Sequence, residues 1–180
     1  MKNWYIRVLS LFSCLAVFGC SPEQPVVAPS VQQAVISPAE REKIRLLINE
    51  LQTIAGLSDK TFAILGQEAK ALVTGEKKTV DLVALVDKTK NEILAAGTDM
   101  AAKSLPEGLP PGIKQNLQEA KDGLLKAGQL KSESLEVMKR LVEEKRPGIL
   151  LEYRGMVSAA AKQIDEAQMK LKQVQMAAGL

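Results

Sequence analysis

Most of the side chains that do chemistry are missing from this chain. It contains no histidine in 180 residues, which removes the commonest general base and the commonest metal ligand. Its two cysteines, Cys14 and Cys20, both lie in the first 20 residues. A two-carboxylate hydrolase would have to be built from acids such as Asp81, Asp87, Glu92, Asp99 or the pair Glu143-Glu144. These acids read instead as solvated helix faces and as complements to helix dipoles. The glycines are scattered as stops and turns, with no phosphate loop and no Gly-x-Ser-x-Gly. Closely spaced Asp and Asn around a Gly, which a calcium loop needs, are absent. Met138, Met156, Met169 and Met176 are of the kind that lines adaptable grooves or soft-metal sites. Without Met-x-Met clusters or histidine they read as the edge of a core. The expectation is a protein that is not an enzyme, with no catalytic residue, no metal site and no cofactor.

One position does carry a defined chemistry. Lys2 and Arg7 form a positive start, and residues 8–18 follow as an uncharged apolar run. The run has the length of a signal-peptide core and is too short to span a bilayer. It closes on Val17-Phe18-Gly19-Cys20. This segment resembles the lipobox of bacterial lipoproteins, a resemblance confined to the first 20 residues or so. It implies cleavage between Gly19 and Cys20, a diacylglycerol on the Cys20 thiol, and a fatty acyl chain such as palmitate on the new amino group. Each buried methylene contributes about 0.8 kcal/mol, and two or more chains hold a protein firmly at a membrane. In that class an Asp after the cysteine often retains the protein in the inner membrane. Ser21 stands there in this chain. The implied location is therefore the outer membrane, facing the periplasm, in a Gram-negative host. In a Gram-positive host it is the outer face of the single membrane.

Removal of the signal changes the composition. Of 24 basic residues, Lys2 and Arg7 leave with it, so 22 stand against 21 acids and the mature chain is nearly neutral. Nucleic-acid binding would need clustered basic residues, and none are found, so no nucleic-acid partner is expected. Neither disulfide nor free thiol remains beyond Cys20, so the fold must rest on its core. Only Phe62 and Tyr153 remain as aromatics, which argues against stacking sugar sites. About 160 residues rich in Ala, Leu, Lys, Glu and Gln suffice for one helical domain.

The elements follow from spacing. Residues 20–36 carry the lipidated cysteine and then a tether, with Pro22, Pro25 and Pro29 and no helical stripe. Extended, its 16 residues after Cys20 reach roughly 50 Å at about 3.1 Å each. Ser37-Pro38-Ala39-Glu40 has the form of a capping box with Pro at the first helical position. Ile44, Leu47, Ile48, Leu51, Ile54 and Ala55 repeat at three and four, which predicts a first helix over 38–55 stopped by Gly56. A second is expected to open at Ser58-Asp59 and end at Gly75, on the stripe Phe62, Leu65, Ala69, Leu72 and Val73. Lys77-Lys78 is expected as a turn, and Thr79 as the start of a third helix interrupted by Lys90. Breakers cluster between Leu105 and Gly112. Ile113, Leu117, Ala120, Leu124 and Ala127 then follow four-three spacing, and the stripe shifts between Gly128 and Ser134 before Leu135, Met138 and Val142. A kink, a loop or a stutter would each account for the shift. Lys145-Arg146-Pro147-Gly148 turns the chain. Leu150, Tyr153, Val157, Ala160, Ile164, Ala167, Leu171, Val174 and Ala178 then hold heptad spacing to the end.

The expected organisation is a signal peptide over 1–19, the lipidated tether over 20–36, and one all-α domain over 37–180. That domain is a bundle of about five helices, an N-terminal trio over 37–104 and a long antiparallel pair over 111–178. The heptad positions from Leu150 to Val174 form a candidate interaction seam resembling that of a coiled coil, and equally suit the inner face of a bundle helix. The leading functional expectation is a non-enzymatic protein-interaction or envelope-structural role. It has a membrane partner through Cys20 and a protein partner or self-association through the C-terminal helices. The alternative is a carrier holding a lipid or other apolar ligand between helices.

Overall fold

Ser37 and Glu40 start the bundle by capping each other. The Ser37 N–H donates to Glu40 Oε2 at 2.8 Å, and the Glu40 N–H donates to Ser37 Oγ at 3.3 Å. This is the reciprocal box expected of Ser-Pro-Ala-Glu. The computed structural model describes residues 36–73, 79–144 and 146–180, all within the unit Ala34–Leu180. The signal residues, Gly19, Cys20 and the tether to residue 35 lie outside the described residues, as do the Gly75 stop, the Lys77-Lys78 turn and Lys145. So do the side chains of Ala69, Leu72, Val73 and Asp81.

The described residues are all helical apart from short connections, and they form four helices: α1 (Pro38–Val73), α2 (Thr79–Ala102), α3 (Pro111–Glu144) and α4 (Pro147–Ala178). The count of about five rested on a break at Gly56, and that break is absent. One mid-helix glycine costs a helix about 1 kcal/mol relative to alanine. Against that cost, Leu51, Ile54, Ser58, Phe62 and Leu65 all face inward in unbroken three-four spacing. Thr53 and Thr61, on either side of Gly56, donate to the carbonyls of Asn49 and Leu57. Ser58 is thus a mid-helix residue, not a cap.

The shift between Gly128 and Ser134 also leaves the helix unbroken. Lys131 and Ser134 take inward positions on the stretch where the apolar stripe shifts, and both are buried. The Ser134 hydroxyl donates to the Lys131 carbonyl at 2.7 Å, and the Lys131 ammonium donates to Asp59 of α1. What the spacing left open as a kink, loop or stutter is a polar insert in a continuous stripe.

Successive helices run antiparallel. Glu50 of α1 pairs with Lys103 just past α2 at 3.2 Å. Along α2 and α3, Lys90 bonds Glu136 at 2.6 Å and Asp87 bonds Lys139. The long α3–α4 pair is the most extensive contact, tied by Glu119–Lys170 at 2.6 Å near one end and Arg140–Glu152 at 3.4 Å near the other. Its helices approach closely at Gly123, where an added Cβ would lie 3.3 Å from Ala167 Cβ. α1 and α3 each touch all three other helices, whereas α2 and α4 share no contact among the described residues. Gly179, at φ 69°, closes α4, with its own N–H donating to Met176 and that of Leu180 to Gln175, a left-handed helix stop.

The interior falls into two clusters. One, around Ile44, Ile48, Leu51, Leu117, Leu171 and Val174, lies toward the 103–110 connection and the end of α4. The other, around Leu65, Leu82, Val86, Ile93, Leu135 and Met138, lies toward the α3–α4 turn, with Phe62 and Tyr153 packed on it.

Candidate ligand cleft and the C-terminal seam

The heptad positions of α4 are spent inside the chain. Ala160, Ala167, Leu171 and Val174 are buried, and Leu150, Tyr153, Val157 and Ile164 are half-buried. Ala167, Leu171 and Val174 belong to the first cluster and Ile164 packs against it, while Tyr153 lies on the second. Burial pushes the Tyr153 phenol above its ordinary pKa. The candidate acids are not gathered. Asp87 pairs with Lys139, Glu92 lies 3.9 Å from Lys88, and Glu144 lies 3.4 Å from Arg146. Asp99 and Glu143 are exposed singly. Among the described residues no three His, Cys, Asp or Glu side chains converge as a metal site would require, and no helix is long and apolar enough to cross a membrane. Met138 is buried and Met156 half-buried, but Met169 and Met176 are exposed, so only the first two fit a core or its edge.

Between the two clusters the helices leave a cleft of about 330 Å³. Ile54, Ala55 and Ser58 of α1, Ile93, Gly97 and Met100 of α2, Leu124, Ala127, Gly128 and Lys131 of α3, and Ile164 of α4 line it. Exposed Leu94, Thr98, Ala101 and Gln129 stand at its rim on α2 and α3. The cause is local and steric. Ala55, Ala96, Gly97, Ala127 and Gly128 are too small to fill the space where α1, α2 and α3 meet, and a Cβ at Gly97 or Gly128 would meet nothing within 4 Å.

Two polar groups sit in this apolar lining. The Ser58 hydroxyl is buried and has no hydrogen-bond partner among the described residues. Thr53, Thr61 and Thr98, by contrast, turn their hydroxyls back to a carbonyl four residues earlier. The Lys131 side chain is 9% exposed, and its only hydrogen-bond partner among the described residues is Asp59, itself 49% exposed. The other buried lysine, Lys121, is differently employed: it donates to the carbonyls of Ala101 at 2.8 Å and Lys103, closing the end of α2. Reading the sequence missed the cleft. The available signal was Lys131 within the stretch from Gly128 to Ser134 where the apolar stripe shifts.

A second hollow lies on the α3–α4 face, over Gly123 and Ala167. Its rim of Glu119, Asp122, Glu166, Lys126 and Lys170 mixes both signs. The hydrogen bond from Lys170 holds the Glu119 carboxyl below its usual pKa.

No protein-family model matches the chain, and no curated protein or solved structure matches it.

Proposed function

We propose that this chain is a lipid-anchored, extracytoplasmic binding module without catalytic activity, and that the cleft between its two clusters carries a small apolar ligand. The anchor rests on Lys2, Arg7, the apolar run 8–18 and Val17-Phe18-Gly19-Cys20. Ser21 favours the periplasmic face of the outer membrane in a Gram-negative host. The observation that carries the binding reading is the apolar, partly open cleft of about 330 Å³. That volume lies at the low end of the roughly 300–1,000 Å³ usual for ligand sites. The carrier reading gains weight because the α4 seam packs inward, with Ala167, Leu171 and Val174 in the first cluster and Tyr153 on the second.

The test is native mass spectrometry of the full-length lipidated chain held in nanodiscs. Release of a stoichiometric apolar small molecule from the parent, and none from a Gly128→Leu variant, is the expected result. Identical spectra for the two would overturn the carrier reading. A second reading, docking of a protein partner, draws on a different surface: exposed Leu46, Leu57 and Ile64 fall on one stripe of α1, opposite its buried face. In-cell crosslinking that captured one stoichiometric protein through this stripe would favour it.

A further inference from the structure

We infer that the ligand of the cleft is a single-chain monocarboxylate of the fatty-acid class, its carboxylate held by Lys131 and Ser58 and its chain by Ile54, Ile93, Leu124 and Ile164. The inference rests on the carrier reading and adds the head group. The starting point is hydrogen-bond accounting. An ammonium has three donors, and among the described residues Lys131 uses one, on Asp59. Ser58 brings a buried hydroxyl that uses none among those residues. Unused donors beside an apolar wall are costly to bury unless an acceptor meets them. A carboxylate supplies two acceptor oxygens and the charge that Lys131 attracts.

Asp59 does not block the site. It is half exposed, so it can turn to water when a ligand oxygen takes its place, and an ion pair with one wet partner is weakly held. Its exposure brings solvent beside the Lys131 ammonium, where a charged head belongs. The rest of the lining accepts a hydrocarbon. The volume suits one alkyl chain, not the two of a diacyl phospholipid. The contrast with Lys121 is informative, because that equally buried lysine is satisfied by two carbonyls at the end of α2 and has no comparable role open to it.

The experiment is titration calorimetry of dodecanoate and of dodecanol into the full-length chain in nanodiscs, with empty nanodiscs as the blank. Three proteins are compared: the parent, Lys131→Met and Gly128→Leu. Gly128→Leu replaces a mid-helix glycine by a strong helix former, so its melting temperature should not fall while its side chain fills the cleft. We expect one saturable dodecanoate site in the parent and none in Gly128→Leu. Lys131→Met should bind dodecanoate about tenfold or more weakly, with dodecanol affinity within about twofold of the parent's, which would also show that the variant folds. Equal affinity for both probes, indifferent to Lys131→Met, would overturn the head-group inference and leave the cleft as an apolar carrier site. No binding of either probe above the blank would overturn both.

Discussion

Ser37, Lys131 and Cys20 are the residues whose individual chemistry matters most. Ser37→Ala should cost about 1 kcal/mol in thermal or urea unfolding, the usual loss of an N-cap. The pH dependence has a definite sign. The hydrogen bonds from Ser37 hold the Glu40 carboxyl below its ordinary pKa. A carboxyl lowered in the folded state adds stability that is present above its unfolded pKa and is lost as the pH falls through the folded one. Parent and Ser37→Ala should therefore differ most near neutrality and draw together under acid. A constant difference across that range would mean that the box adds nothing through Glu40. Under the proposed lipid anchor, Cys20→Ser should abolish incorporation of labelled palmitate and release the chain from the membrane fraction. Retention of label would refute Cys20 as the attachment point. In the sequence Lys131 lies within the stretch from Gly128 to Ser134 where the apolar stripe shifts. Its role depends on Asp59, 72 positions away, and no spacing rule connects the two.

Among the elements, two glycines of the same type should behave oppositely. An added Cβ at Gly56 meets nothing within 4 Å, so Gly56→Ala should raise stability by up to about 1 kcal/mol through helix propensity and reduced unfolded-state entropy. At Gly123 the added atom already lies 3.3 Å from Ala167 Cβ and 3.5 Å from the Gln163 carbonyl. Gly123→Leu would drive further carbons into α4 and should cost about 1–3 kcal/mol as overpacking. Equilibrium unfolding of both variants checks the contrast. If Gly123→Leu were neutral, α3 and α4 would not approach as closely as described. The expected break at Gly56 failed for the same reason that Gly56→Ala should succeed: one glycine weighs little against a stripe that stays in phase from Ile44 to Leu65.

At the scale of the whole molecule, α3 belongs to both clusters, since Leu117 and Leu124 lie in one and Leu135 and Met138 in the other. One helix shared by two cores should make them unfold together. Leu117→Ala and Leu135→Ala remove side chains that are fully buried, and each should cost about 2–5 kcal/mol. Both should lower the same single thermal transition in calorimetry. Two separate transitions, each moved by one variant, would show that the clusters are independent units.

Several features could be read directly from the residues. The helical class follows from composition and stripe spacing. The start at Ser37-Pro38, the break between Leu105 and Gly112 and the turn at Pro147-Gly148 are local backbone preferences, and local preferences are written in a few adjacent residues. The inward face of α4 was likewise legible as a heptad, because burial on one helix has one period. The tertiary structure alone decided three further things: α1 continues past Gly56, Lys131 and Ser134 sit in the stripe of α3, and a cleft remains beside Ala55, Gly97, Ala127 and Gly128. Each depends on distances between helices. A glycine within a stripe yields or holds according to what the neighbouring helix buries. A buried lysine is tolerable only when a carboxylate from elsewhere reaches it. A gap exists only where small residues from several helices meet at one level, and no single stretch of chain records that coincidence.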